Sequence, residues 1–242
     1  MESNTIWSFP DRGNWATHDG KYRGNWSPYI VRNLLLRYSF SGDLVLDQFV
    51  GGGTTLVEAK LLNRNAIGVD VNLAALQSCK EKCDFSYKTD SRVYIKRGDA
   101  RNLKFIPDST IDFVCTHPPY ADIIKYSEDI KEDISHFREK EFLLAMTQVA
   151  EESFRVLKLK KYCAILMGDI RKNGHVVSLG FKVMQEFQKA GFLLKEIIIK
   201  EQHNCKSTTY CKQKSKKYNF LLLAHEYLFV FEKGRLAEKH ET

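Results

Sequence analysis

Residues 44–55, LVLDQFVGGGTT, set an acid at the end of an apolar run and follow it with three glycines that lead straight into a helical pattern, TTLVEAKLL. Glycines let backbone approach a ligand closely, and a helix start presents N–H groups that have no partner within the helix. A small polar cofactor is implied, with Asp47 placed to accept a hydrogen bond from it and Phe49, Gly51, Gly53, Thr54 and Thr55 forming the turn. Farther on, Asp70 closes a second apolar stretch, AIGVDV, about twenty residues after the glycines, where an acid can take a ribose diol. By itself this pair reads as a nucleotide site of unspecified kind. A third element, CTHPPY at 115–120, narrows it.

Together these stretches resemble the S-adenosylmethionine-dependent amino-methyltransferases of DNA, whose glycine motif reads D-P-F-x-G-x-G-T-T and whose catalytic motif reads D/N/S-P-P-Y. The resemblance runs from GKYRGNWSPYIVRNLLLRYS at 20–39, through Asp47, Asp70, Asp99 and the Pro-Pro-Tyr, to HEYLFVF at 225–231. There are two departures: Gln48 stands where the family has proline, and His117 where it has Asp, Asn or Ser.

The resemblance implies S-adenosyl-L-methionine as cofactor, DNA as partner and a flipped base as the group that is methylated. It also implies that Trp26, Ser27 and Pro28 lie against the methionine end of the cofactor, and that Asp99, in RGDARNL, accepts from its adenine amino group. A plain turn or helix cap is the other reading of Asp99. The exocyclic amino group of a base is a poor nucleophile, because its lone pair is delocalised into the ring. Acceptors must orient its N–H bonds, and the family uses the first motif residue and the carbonyl of the first proline, here His117 and Pro118. Pro118 and Pro119 fix the backbone, and Tyr120 offers a face for stacking the base. Neutral imidazole has one acceptor nitrogen and imidazolium has none, so activity is expected to fall below the histidine pKa. Like serine, neutral histidine carries no charge, which leans the target toward cytosine N4. Adenine N6, guanine N2 of RNA, a protein glutamine and a catalytically silent DNA-binding partner are the alternatives.

The elements that must position these residues follow from alternating apolar runs and helical patterns, the mark of an α/β domain with a largely parallel sheet. Strands are expected near 44–49, 65–71, 93–98, 111–116, 162–169, 193–202 and 225–232, and helices near 28–38, 54–63, 73–83, 137–158 and 176–190. The last two strands lack an intervening helix and are expected to run antiparallel, as in the seven-stranded Rossmann-like sheet of class I methyltransferases. At 242 residues the chain fits a single methyltransferase domain, with 1–40 as a cofactor-capping segment and helix.

A net charge of +7 favours an anionic partner, and no apolar run is long enough for a membrane span. The polar start and six scattered cysteines fit reduced thiols and a cytoplasmic location. Much of the charge gathers in 203–219, HNCKSTTYCKQKSKKYN, an expected basic loop. Its Lys206, Lys212, Lys214, Lys216 and Lys217, interleaved with Tyr210, suit phosphate neutralisation and base stacking. A solvated hairpin loop is the bland alternative. Residues 121–136 read as a mobile active-site loop, and Asp169 and Arg171 in MGDIRKNG as pocket or backbone contacts, or a salt bridge. His203, Cys205, Cys211 and His225 lack the paired C-x-x-C spacing of a zinc site, so no metal is expected. No separate target-recognition segment stands out, which points to a short target site or to recognition by a homodimer.

Overall fold

The computed structural model describes residues 1–22, 24–121, 127, 130–203 and 208–234, with the backbone alone for 208–211. In chain order the elements are β1 (Ile6–Trp7), α1 (Pro28–Tyr38), β2 (Leu44–Asp47), α2 (Thr54–Leu61), β3 (Asn65–Asp70), α3 (Leu73–Cys83), β4 (Val93–Arg97) and β5 (Ile111–Thr116). A 3-10 turn at Ile134–His136 leads to α4 (Glu139–Val156), β6 (Leu157–Met167), β7 (Ile170–Lys172), β8 (His175–Val177), α5 (Leu179–Lys189), β9 (Leu193–Glu201), α6 (Thr208–Lys217) and β10 (His225–Glu232).

The main sheet has the order β1-β9-β10-β6-β5-β2-β3-β4. Strands β4, β3, β2, β5 and β6 are parallel, and β10 runs antiparallel between β6 and β9. Strand side chains alternate faces, so Val45 and Val230 point into the layer under α1 and α2 while Leu46 and Phe229 point into the layer under α4 and α5. Every residue of β5 is buried, as a central strand covered on both faces requires. Strand order reverses at β2, and in open α/β sheets the crevice at such a reversal, beyond the carboxyl ends of the strands, is where ligands bind. No helix among the described residues is long and apolar enough to cross a membrane.

All seven expected strands form, with the closing antiparallel arrangement, but the sheet has eight strands: Ile6–Trp7 adds a two-residue edge strand parallel to β9. Two residues are too few to show a period. The expected helix at 176–190 begins only at Leu179, because residues 170–177 form a small hairpin. Its turn is Asn173-Gly174, both at positive φ, the pairing that a two-residue hairpin turn favours. The basic segment is not a plain loop, since Thr208–Lys217 is helical. It lacks the apolar stripe that announces a packed helix, yet Lys and Gln are good helix formers, and Lys214, Lys216 and Lys217 complement the dipole at its C-terminal end.

Candidate active site

An open cleft of about 740 Å³ lies over the carboxyl ends of β2, β3, β4 and β5. Trp26, Phe49, Gly51, Asp70, Asp99, His117 and Pro119 are brought together on its walls. Ser27, Pro28, Asp47, Gly53, Thr54, Thr55, Pro118 and Tyr120 stand behind them, outside the lining.

Asp47 is 1% exposed and sits under the glycine turn. Its carboxylate accepts from Thr116 Oγ1 at 2.6 Å, from Thr55 Oγ1 and from the backbone N–H of Phe49 at 3.1 Å. Burial pushes its carboxyl up to about 6, against the downward pull of these three hydrogen bonds, and neighbouring Asp70 adds to the rise. Thr54 is buried in the first turn of α2, and Gly53 is its N-cap at φ +86. A Cβ at Gly53 would stand 2.8 Å from Cys79 Sγ, so this glycine serves packing between α2 and α3. Gly51, at φ +48, faces the cleft, and a Cβ there would meet the Tyr22 ring at 2.9 Å.

The Gln48 side chain, where the family has proline, is buried against α4. Ser153 Oγ lies 2.9 Å from its Oε1 and 2.7 Å from the Val149 carbonyl. One hydroxyl proton cannot serve both, and among the described residues Gln48 Nε2 has no partner. Exchanging the amide oxygen and nitrogen satisfies Ser153, which then donates to Val149 and accepts from Gln48. The strand exit is thus held by a side-chain bond rather than by a proline ring.

Asp70 accepts from Gly51 N–H at 3.0 Å and from Asn72 N–H at 2.9 Å, which aims its carboxylate along the cleft wall. Burial pushes its carboxyl up, partly offset by these bonds. Asp99 is clasped by Arg101, whose Nε lies 3.0 Å from each carboxylate oxygen and whose Nη2 lies 2.6 Å from Oδ2. Asp70 keeps acceptor capacity beyond these two bonds, whereas both Asp99 oxygens are already engaged by Arg101, whose backbone N–H also donates to Oδ1 at 2.9 Å. Val71, Ala100 and Ile134 line the same cleft and offer apolar surface suited to a flat ring. An acid for a diol, an acid for an amino group and apolar flanks fit a nucleoside cofactor.

His117 also lines the cleft. Its ring centroid is 5.7 Å from that of Trp26, and its Nε2 lies 3.2 Å from Tyr120 Oη. Burial pushes its pKa down to about 4, outweighing the upward pull of Glu226 and of a backbone hydrogen bond with Gly24, so the imidazole is neutral at neutral pH. Tyr120 lies behind it over Gly168, where a Cβ would meet the tyrosine ring at 3.1 Å.

The Trp26 wall is fastened from behind. Ser27 Oγ caps α1 by accepting from Tyr29 N–H and donates to the Arg12 carbonyl, and Pro28 is the first helical residue. Arg12 Nη2 donates to the carbonyls of Asn25 and Trp26 at 2.8 and 3.1 Å. Glu58 of α2, fully buried, receives Trp15 Nε1, His18 Nε2 and Arg32 Nε within 2.7–2.8 Å.

Lys212, Lys214, Lys216 and Lys217 are exposed on or beside α6. Lys206 and the Tyr210 side chain lie outside the described residues. Asp169 accepts from Gly180 N–H near the start of α5, and Arg171 donates to the Gly174 and Leu221 carbonyls, so neither lines the cleft. His203 bonds Ser8 and His225 bonds Tyr227, while Cys205 and the Cys211 side chain fall outside the described residues.

Sequence reasoning missed Tyr22, Asn25, Arg101, Asp133 and Ile134 as cleft residues. Tyr22 and Asn25 lie within the N-terminal motif, and Arg101 is two residues beyond Asp99, so both had a local signal. Asp133 and Ile134 belong to the expected active-site loop, of which 122–126 and 128–129 lie outside the described residues. Glu226 and Lys200, which stand behind Tyr120, had no signal of their own.

A family model described as DNA methylase matches residues 1–81 and 111–241. The chain is 34% identical over 101 residues to a tRNA (guanine(10)-N2)-dimethyltransferase from Methanothermobacter thermautotrophicus, covering 41% of this chain and 29% of that protein. To the type II methyltransferase M2.MboI of Moraxella bovis it is 32% identical over 81 residues, 34% of this chain and 30% of the relative. The match thus spans less than a third of either relative. A solved S-adenosylmethionine-dependent methyltransferase from Methanosarcina mazei superposes with a TM-score of 0.59 at 14% identity, over 83% of this chain and 97% of the other, which shows a shared fold.

Asp47 has a testable signature. Its folded carboxyl holds a proton to higher pH than the unfolded one, so its contribution to stability is fullest below about pH 4 and declines as pH rises through about 6. Asp47→Asn is expected to be more stable than the parent at pH 7, by up to about 3 kcal/mol, with the difference vanishing near pH 4. Urea unfolding across that range measures it, and a pH-independent difference would contradict the assignment.

Proposed function

Because the chain belongs to the DNA methylase family whose model spans residues 1–81 and 111–241, we propose that it transfers a methyl group from S-adenosyl-L-methionine to an exocyclic amino group of a base in DNA. The observation that carries this reading is the cleft at the strand-order reversal, lined together by Gly51, Asp70, Asp99, Trp26, His117 and Pro119. When bound, the cofactor supplies a methyl group already activated on a sulfonium. The protein's task is therefore mainly to position.

On this reading Asp70 accepts from the ribose, Asp99 from the adenine amino group, and the turn at Gly51 lets the backbone come close. Trp26, set on the Ser27-Pro28 start of α1, closes the methionine end, and Asp47 with Thr54, Thr55, Phe49 and Gly53 holds the turn in shape. His117 and the Pro118 carbonyl hold the target amino group, while Pro119 and Tyr120 shape the base pocket. The neutral His117 supports an uncharged acceptor, and cytosine N4 is the favoured target over adenine N6. Its imidazole stays neutral down to about pH 4, so no histidine step is expected in the rate between about pH 5 and pH 8.

A second reading is methylation of guanine N2 in RNA, favoured by the 34% match to the tRNA enzyme. Both readings use an exocyclic amino group, so one assay separates them. Purified protein is given labelled cofactor with duplex DNA or with tRNA, and the modified base is identified by mass spectrometry. N4-methylcytosine in DNA is expected. Methylation of tRNA alone would favour the second reading, and no transfer to either, with cofactor bound, would reject both.

Three variants probe the assigned roles. Asp70→Ala is expected to weaken cofactor binding by about 1–3 kcal/mol in calorimetry, and unchanged affinity would remove Asp70 from the site. His117→Ala is expected to abolish transfer with cofactor binding intact, and His117→Ser or His117→Asn to restore part of it, since each brings back an acceptor. Full activity in the alanine variant would show that His117 is not that acceptor. Replacing Lys214, Lys216 and Lys217 with Gln is expected to lower the salt dependence of DNA binding by roughly one unit of slope per lost phosphate contact. An unchanged slope would leave α6 as a solvated helix.

A further inference from the structure

Behind the His-Pro-Pro-Tyr segment, side chains of the last two sheet strands form a hydrogen-bonded chain that ends at His117. Lys200 of β9 and Glu226 of β10 are directly opposed in the antiparallel pairing. Lys200 Nζ lies 2.8 Å from Glu226 Oε2, and Tyr120 Oη donates to Glu226 Oε1 at 2.6 Å. Glu226 is 7% exposed; burial alone would raise its carboxyl, but the charge and hydrogen bond of Lys200, with the hydrogen bond of Tyr120, bring it below the ordinary value, so it is a carboxylate and only accepts. A tyrosine has one hydroxyl proton. At a length typical of a charge-assisted O–H···O⁻ bond, that proton belongs to Glu226.

His117 Nε2 lies 3.2 Å from the same tyrosine oxygen. With the hydroxyl proton committed elsewhere, the bond between them requires His117 to donate. We propose that Glu226, backed by Lys200, is a positioning residue that fixes the tautomer of His117, holding the proton on Nε2 and leaving Nδ1 as the acceptor of the ring. Among the described residues the other groups facing the ring are Trp26, the Gly24 carbonyl, which can only accept and so competes with Tyr120 for the ring proton, and Arg12, which with Lys200 opposes a second one. Burial outweighs Gly24, so the ring stays neutral and the question is only where its single proton sits.

The catalytic consequence rests on the reading of His117 as acceptor for the target amino group, but the tautomer does not. In Glu226→Gln, Lys200, which can only donate, keeps the amide oxygen, and the amide N–H groups turn to Tyr120. The tyrosine proton then turns to His117 Nε2, the ring proton moves to Nδ1, and no lone pair is left for a substrate. Nitrogen-15 NMR of the imidazole at pH 7, without cofactor or DNA, reads this directly. The Nε2–H form is expected in the parent and the Nδ1–H form in Glu226→Gln. Tyr120→Phe, which keeps the ring and removes the oxygen, is the second variant and is expected to lose the Nε2–H preference. An Nδ1–H form in the parent, or an Nε2–H form that persists in the variants, would overturn the proposal. In the transfer assay Glu226→Gln is expected to lose about 100-fold in kcat with cofactor affinity unchanged, the scale of a lost acid–base partner. If the tautomer switches as expected and the parent transfers no methyl group, the relay stands and the functional reading fails.

Discussion

One buried carboxylate joins the parts on which the site depends. Asp47 ends β2 at the strand-order reversal and accepts at once from α2 through Thr55, from the end of β5 through Thr116, and from the glycine turn through the Phe49 amide. The Thr116 contact reaches the cleft, because His117, which lines it, is the next residue. The glycine turn and the His-Pro-Pro-Tyr segment are thus referenced to the same pair of oxygen atoms. Burying an acid is costly unless it is hydrogen-bonded, and the raised carboxyl of Asp47 shows that three donors do not fully offset that cost. Stability is given up at the point where positioning is most demanding, which is where such a concession is expected.

The departures from the family pattern become intelligible beside their neighbours. Gln48 replaces a stiff ring with a side chain tied to Ser153 of α4, so the strand exit is held from the helix layer rather than from within the backbone. His117 replaces a short acceptor with a ring whose useful nitrogen depends on where its proton sits. In the proposed role such a residue needs outside control, which the chain through Tyr120, Glu226 and Lys200 is placed to supply. Neither Glu226 nor Lys200 is near His117 in sequence, because β9 and β10 come to it only through the sheet.

Most of the fold was legible because its signals are local. Apolar runs at 44–47, 65–70 and 111–116 are strands buried between helices, and Ser27-Pro28 marks the start of α1 as cap and first residue. What stayed hidden has specific reasons. The Asn173-Gly174 turn was present in the sequence, but the apolar residues after it also suit a helix. The α6 helix lacks an apolar stripe, so periodicity was silent there. In the site, residue types pointed to Asp70 and Asp99, which line the cleft, but could not show that Asp47 would lie beneath it or that Arg101 would clasp Asp99. Side-chain partners far apart in the chain are set by packing, and a single sequence does not print them.

The triple anchorage of Glu58 bears on how the cleft meets a ligand. Trp15, His18 and Arg32 converge on one fully buried carboxylate, and the segment they secure carries Tyr22 over the glycine turn and Trp26 into the cleft wall. That wall is shaped when the chain folds, by contacts internal to the protein. Binding then need not order a loose arm, and ordering a segment is one of the larger entropic losses on association. More of the contact energy then remains for holding and orienting the ligand.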